Sequence, residues 1–301
     1  MSDDRYPMCQ GPDPDPTAPG FAVPAGAIDC HAHIFGPAER YAFSPARGYT
    51  PPEASLDDYL ALHRVLGGID RAVLTQPSVY GTDNACMMDV VDRMAGKFKA
   101  VVAVDAAVTD RELEALAARG ACGVRVNLAD KGGNPFEDMR AVQRFTERLA
   151  DLGWHLEVLV HVDDFDDLRA TMNAMAVDVS FGHLGYMNTG RGIDHPGFQA
   201  FLDLLRDGKC WAKLTGSYRI TTSPHTPYHD VAPFAAALIA ANEDRIVWGT
   251  DWPHPTFKGN MPNDGALFDQ LADWAPSPQL REKILVTNPQ ALYGFTPLSQ
   301  S

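Results

Sequence analysis

Two histidines near the start of the chain are spaced for joint chemistry. They are His31 and His33, in the run AIDCHAHIF that begins at Ala27. Alternation along a β-strand turns the side chains of residues i and i+2 to one face. Such a pair can form half of a metal site, act as acid–base groups, or be two hydrogen-bonded core imidazoles. Partners elsewhere in the chain must decide among these uses.

Further titratable residues follow other short apolar runs. His183 lies in FGHLG, His161 follows LEVLV, and Asp251 lies in WGTDWPHP. A buried carboxylate without a partner is costly, so we expect Asp251 to act together with histidines. One metal ion with an open position for water is one chemistry that this set suits. Direct activation of water by Asp251, with histidines polarising a carbonyl, is the other.

The elements that must position these residues are short apolar runs alternating with amphipathic segments. Thr109 and Glu112 have the spacing of a helix capping box. Near-continuous apolar strands separated by helices are typical of a parallel sheet covered on both faces. No G-x-G-x-x-G follows the first run, which disfavours a doubly wound sheet. The predicted strands cover residues 28–35, 72–76, 100–104, 123–128, 156–161, 177–182, 211–215 and 246–249.

Eight such units predict a single-domain α/β fold, a (β/α)8 barrel over residues 26–301, preceded by an extended proline-rich arm over residues 1–25. The active site of such a barrel lies at the carboxyl ends of its strands. We therefore predict that His31, His33, His183 and Asp251 are catalytic. The same four residues are the predicted ligands of one Zn²⁺, with His161 as an additional candidate. Catalysis without a metal remains the alternative.

Basic residues near the same strand ends predict an anionic substrate. Arginine binds carboxylates through two parallel hydrogen bonds, which suits recognition of an acid. Ion pairing with local acids is the alternative for some of these bases, which include Lys213. The predicted substrate-binding residues are Tyr49, Ser78, Arg125, Lys131, Arg219 and His254.

Composition excludes several classes of partner. The 301 residues carry a net charge of −14, from 25 basic and 39 acidic side chains, which argues against binding to nucleic acid or to an anionic membrane. No apolar run has the ~20 residues of a membrane span. The acidic, proline-rich start lacks the features of a signal peptide, and the five scattered cysteines fit a reducing compartment. We therefore expect a cytoplasmic protein; its oligomeric state is open, and a homodimer is compatible with the sequence.

Several motifs together resemble the amidohydrolase superfamily. They are AIDCHAHIFGP, FSPARGYTPPEAS, GTDNACMMDVV, GVRVNL, GHLG, RIVWGTDWPHP and LVTNPQALYGF, spread over residues 25–295. The resemblance is greatest to the branch of 2-pyrone-4,6-dicarboxylate, muconolactone and sugar-lactone hydrolases. It implies a distorted TIM barrel that hydrolyses a cyclic ester, with Asp251 as general base. Zinc is used by some members of this branch and not by others.

Three positions depart from the dicarboxylate hydrolases of that branch. Those proteins carry arginine, tyrosine and arginine where this chain has Lys131, Leu159 and Tyr186. The departures favour a related anionic lactone from aromatic-compound catabolism, such as 4-sulfomuconolactone. Two rival hypotheses are a decarboxylase of the same superfamily and a barrel that only binds a ligand.

Overall fold

A computed structural model describes residues 6–129 and 135–297 of the chain. Its eight strands are all parallel and lie side by side in sequence order, which confirms the predicted (β/α)8 barrel. Every predicted strand overlaps an observed one. The strands are β1 Ile28–Ala32, β2 Arg71–Thr75, β3 Phe98–Val102, β4 Ala121–Asn127, β5 His155–Leu159, β6 Val179–Phe181, β7 Cys210–Leu214 and β8 Ile246–Trp248.

Each strand is followed by a helix that packs on the outside of the barrel. The predicted capping box is present: Thr109 Oγ1 accepts from the backbone N–H of Glu112, whose carboxylate accepts from the N–H of Thr109. In the described ranges, no helix is both long and apolar enough to cross a membrane. The helices are α1 Leu56–Val65, α2 Ala85–Arg93, α3 Asp110–Ala118, α4 Met139–Asp151, α5 Leu168–Asn173, α6 Pro196–Arg206, α7 Ala232–Ala241, α8 Asp264–Trp274, α9 Pro278–Glu282 and α10 Asn288–Tyr293.

The seam between β1 and β8 closes the barrel. The N–H of Asp251 donates to His31 O at 2.8 Å, and the N–H of His33 donates to Trp252 O at 2.8 Å. Below these bonds, the carboxylate of Asp29 spans the seam. It accepts from the N–H of His31 on one side, and from the N–H and hydroxyl of Thr250 on the other, at 3.1, 2.9 and 2.6 Å.

Because of a register shift in β1, the side chains of Asp29 and His31 point to different sides of the strand. Asp29 pairs with Ala72 and Ala32 pairs with Leu74, so β1 carries one extra residue between them. Bulges of this kind re-aim side chains and are frequent beside active sites. Asp29 contacts the Tyr59 hydroxyl of α1 at 2.8 Å, whereas His31 reaches across the barrel to residues of β5 and β7. Regular alternation would have placed both on one face.

The described part of the N-terminal segment, residues 6–25, contains no helix or extended strand. It first crosses the loops that follow β1 and β8: the N–H of Cys9 donates to Thr50 O at 2.8 Å, and the N–H of Thr256 donates to Cys9 Sγ at 3.3 Å. It then runs along α8, where the N–H of Gly20 donates to Asp269 at 2.6 Å. The segment is thus attached to the barrel along its length.

Gly249 provides a test of the seam. A Cβ atom at this position would lie 2.6 Å from His31 N and 2.9 Å from its Cβ, so Gly249→Ala must push β8 away from β1. We expect a loss of about 1–3 kcal/mol in the free energy of unfolding, together with reduced activity. Chemical denaturation measures the loss. Gly48→Ala is the matched control, because a Cβ there meets nothing within 4 Å among the described residues; equal losses in both variants would contradict the argument.

Candidate functional site

The predicted catalytic residues cluster at the carboxyl ends of the strands, where His33, His183 and Asp251 line one pocket and His31 lies against all three. His31 and His33 come from the end of β1, and Asp251 follows β8. His183 follows β6 in a single turn of 3-10 helix, at φ 50°. The part of the pocket that the structure describes is lined by His33, Tyr49, Ser78, Arg125, His183, Arg219 and Asp251, among others.

Asp251 is fully buried, and its two carboxylate oxygens have different surroundings. Oδ2 accepts from the Tyr218 hydroxyl at 2.5 Å and from Arg219 Nε at 2.6 Å. Oδ1 has no hydrogen-bond partner within the described ranges, and lies 3.6 Å from the Nε2 atoms of both His31 and His33. One oxygen is therefore held in place while the other faces the histidines.

Burial and neighbouring charges together set the ionisation of this cluster. Burial by itself raises the pKa of Asp251, but Arg219 and the surrounding histidines together outweigh burial and hold that pKa well below its usual value. Burial lowers the pKa of His183 to about 3. Burial and the charge of Lys213 hold the pKa of His31 well below its usual value. At neutral pH the site therefore contains a carboxylate anion beside neutral His31 and His183 rings.

His33 has a defined tautomer in its neutral form. Its Nδ1 lies 2.7 Å from the carbonyl oxygen of Thr75, which can only accept a hydrogen bond. The proton of a neutral ring is therefore on Nδ1, and a lone pair on Nε2 points toward Asp251 Oδ1. This is the tautomer in which a histidine binds a metal ion or accepts a proton from water.

A buried ion pair supports His31 from inside the barrel. Lys213 of β7 and Glu157 of β5 are fully buried and directly paired. Lys213 Nζ also lies 2.9 Å from Cys30 O and 3.2 Å from His31 Nδ1, while Glu157 Oε1 lies 3.4 Å from the same nitrogen. The pair thus offers His31 Nδ1 both a donor and an acceptor. Either proton position on the ring can be stabilised, with a proton or a lone pair on Nε2.

Sequence reasoning considered Lys213 as a substrate contact, but the structure places it beneath His31 with its charge matched by Glu157. Glu157 was not identified from the sequence. The available signal was a carboxylate within the apolar run LEVLV, which requires a buried partner.

Three of the predicted ligands form a group that can hold a metal ion. His31, His183 and Asp251 each offer an atom, and these atoms lie within 4.8 Å of one another. Two atoms in this group, His31 Nε2 and Asp251 Oδ1, have no hydrogen-bond partner among the residues described. Imidazole nitrogen and carboxylate oxygen are atom types that bind zinc in proteins, so these unpartnered buried atoms suit a zinc ion. His161 lies apart from this group: its Nδ1 is 2.7 Å from Tyr186 O and its ring stacks on Tyr186.

The structure gives the predicted substrate-binding residues different contacts. Arg125 donates to Gln76 O at 2.8 Å, and its Nε has no partner in the described part of the chain. Tyr49 lies beside Arg125 and Ser78; burial raises the pKa of its hydroxyl to about 12, against the opposing effect of its hydrogen bond with Ser78. Tyr49 therefore keeps its proton and can donate to a ligand. Arg219 is held on Asp251 and on Pro255 O.

Of the other two predicted substrate contacts, one lies outside the pocket and one lies outside the described residues. His254 is fully buried behind Tyr218, and does not line the pocket. Lys131 lies outside the described residues. Tyr218, whose hydroxyl contacts Asp251, stands among the polar residues that follow the seventh predicted strand, but the sequence assigned it no role.

Comparison with known proteins relates the whole barrel to one family. A family model described as amidohydrolase matches residues 28–295. The 4-sulfomuconolactone hydrolase of Hydrogenophaga intermedia is 36% identical over 96% of this chain and 95% of its own length. The 2-pyrone-4,6-dicarboxylate hydrolase of Comamonas testosteroni is 36% identical over 93% of each protein. An apo crystal structure of an Agrobacterium tumefaciens protein is 31% identical, with a TM-score of 0.83 over 93% of this chain and 100% of that one.

The ion pair beneath His31 is testable by stability measurements. Lys213→Met removes the partner of a fully buried carboxylate, so we expect a loss of about 3–5 kcal/mol in the free energy of unfolding. The double variant Lys213→Met/Glu157→Leu removes both charges and should recover most of that loss. Urea denaturation of the two variants and the parent provides the measurement. If the double variant is less stable than Lys213→Met, the loss in the single variant does not come from an unpaired buried carboxylate.

Proposed function

The chain belongs to the amidohydrolase family, and from this premise we propose that it opens the ring of a small anionic lactone by hydrolysis. The observation that carries the proposal is the carboxylate of Asp251, with one oxygen held and the other unpartnered among histidines. This arrangement suits transfer of a proton from water. Two relatives that cover nearly the whole chain are named as lactone hydrolases, which supports the choice of substrate.

The proposed reaction uses Asp251 twice. A water molecule attacks the lactone carbonyl carbon, and Asp251 Oδ1 accepts a proton from that water. The ring C–O bond then breaks, and the same proton passes to the departing ring oxygen. The products are a carboxylic acid, which ionises, and a hydroxyl or its keto tautomer. His33 Nε2 is a second hydrogen-bond acceptor for the water molecule, because its lone pair points toward Asp251 Oδ1, the atom that takes the proton.

An acidic group on the lactone would bind beside Arg125. Its Nε is unpartnered among the described residues, and the Tyr49 hydroxyl lies on the same side of the pocket. Lys131 remains a proposed contact. A muconolactone such as 4-sulfomuconolactone, or 2-pyrone-4,6-dicarboxylate, carries such acidic groups, and both would come from the breakdown of aromatic compounds. We propose this substrate class.

We propose one zinc ion as the cofactor, held by His31, His183 and Asp251, with His33 adjacent and His161 as a further candidate. A bound zinc ion supplies a Lewis acid that lowers the pKa of a water molecule to about 7. The chain itself orients the ligands: Thr215 Oγ1 lies 3.0 Å from His183 Nδ1, and Lys213 and Glu157 flank His31 Nδ1. We place the reaction in the cytoplasm, in line with five cysteines that form no disulfide.

Ring opening and its dependence on Asp251 test the proposed function. The purified protein is assayed with 4-sulfomuconolactone and 2-pyrone-4,6-dicarboxylate, by following loss of the ring chromophore and release of CO₂. We expect ring opening without CO₂, and a fall in kcat of about 10²–10⁴-fold in Asp251→Asn. Asp105→Asn, an exposed carboxylate that follows β3, is the matched control and should retain the parent rate. Release of CO₂ without ring opening would instead identify a decarboxylase.

Metal analysis tests the cofactor. We expect roughly one zinc ion per chain, lost on chelation and in His183→Gln, because His183 belongs to the three-residue group. His195→Gln is the comparison variant, since His195 caps α6 and does not belong to that group, and it should retain the metal. Elemental analysis of the three proteins gives the stoichiometry. A fully active protein without metal would establish the metal-independent route through Asp251.

A further inference from the structure

Behind Asp251, on the side away from the histidine cluster, lies a row of three buried polar side chains. They are Tyr218, His254 and Asp264, which are 4%, 0% and 2% exposed. His254 Nε2 lies 3.0 Å from Asp264 Oδ1, and His254 Nδ1 lies 3.1 Å from the Tyr218 hydroxyl. That hydroxyl donates to Asp251 Oδ2 at 2.5 Å. The row therefore runs without a break from α8 to the proposed base.

The hydrogen bonds of Tyr218 and the position of Asp264 show how the row is held together. The Tyr218 hydroxyl has one proton to donate, and a carboxylate oxygen such as Asp251 Oδ2 can only accept. That single proton is directed to Asp251, which leaves the Tyr218 oxygen as an acceptor for His254. Asp264 is the first residue of α8, where the helix dipole stabilises a carboxylate and so favours a fixed contact with His254.

The backbone of residues 251–254 forms a turn that holds His254 in one place. Asp251 and His254 both have left-handed backbone conformations, at φ 62° and 60°. Such conformations cost free energy in residues other than glycine, and persist where surrounding contacts hold them. Here the N–H of His254 donates to the carbonyl oxygen of Asp251 at 2.8 Å. The turn that presents Asp251 to the pocket therefore also turns His254 toward Tyr218.

We propose that Tyr218 and His254 are positioning residues for Asp251, and that Asp264 orients His254. Together they hold Oδ2, which leaves Oδ1 as the only oxygen free to exchange a proton with water. The inference rests on the proposed function only in taking Asp251 as the base. It gives His254 a role through Tyr218 rather than through contact with the substrate.

A double-mutant cycle tests this arrangement. Tyr218→Phe retains the ring and removes the hydroxyl; we expect a fall in kcat of about 10–100-fold with KM nearly unchanged. His254→Gln should lower kcat in the same direction. Because His254 acts through the Tyr218 hydroxyl, the double variant should be no slower than Tyr218→Phe alone. Asp264→Asn retains the shape of its side chain and should show a smaller loss.

The controls separate positioning from folding. Tyr228→Phe removes another buried tyrosine hydroxyl outside the pocket, and His195→Gln changes a histidine that caps α6; both should retain the parent kcat. Thermal denaturation of every variant reports whether it is folded. Slowly exchanging imidazole N–H resonances in the proton NMR spectrum give a readout without substrate: we expect one to disappear in His254→Gln and to shift in Tyr218→Phe.

The outcomes distinguish this inference from the proposed function. If Asp251→Asn is inactive while the effects of Tyr218→Phe and His254→Gln multiply in the double variant, His254 does not act through Tyr218 and the inference is wrong. The absence of any N–H resonance that responds to both substitutions would also contradict it. If Asp251→Asn retains the parent rate, the proposed function itself fails.

Discussion

The carboxylate of Asp29 joins the first and last strands of the barrel, and the geometry of the site depends on that seam. It accepts hydrogen bonds from the backbone N–H of His31 in β1 and of Thr250 just after β8, and a further one from Tyr59 of α1. Because His31 and Asp251 are separated by most of the chain, only closure of the sheet brings them together. The bonds across the seam, from Asp251 N to His31 O above all, then set their spacing.

The site is also constrained by the cost of burying charge. Glu157 pairs with Lys213 inside the barrel, and Asp251 pairs with Arg219 at its mouth. Each pair is nearly neutral as a unit, which makes its burial tolerable. The histidine rings His31 and His183 can then remain uncharged between the pairs. Asp251 keeps a negative charge and one unpartnered oxygen, and that is what makes the cluster suitable for moving a proton.

The two arginines of the pocket have different roles in this arrangement. Arg219 is already bonded to Asp251 and to the backbone of Pro255, so its charge mainly maintains the proposed base as an anion. Arg125 has a backbone partner for one nitrogen, whereas its Nε is unpartnered among the described residues. An anionic group of a ligand would therefore be recognised chiefly by Arg125, with Tyr49 beside it. The two arginines thus differ in their contacts: Arg219 is bound to the chain itself, whereas Arg125 is the proposed contact for the ligand.

The sequence by itself determined the eight-strand barrel, and the convergence of the His-x-His pair, His183 and Asp251 at one end. Alternation of apolar runs and the common rim of parallel strands are sufficient for that, because they depend on local pattern and topology. Only the tertiary structure decided the partners: Asp29 on the seam, Glu157 under His31, and His254 behind Tyr218. Those depend on an extra residue in β1, on left-handed turns, and on contacts between strands far apart in the chain, none of which residue spacing encodes.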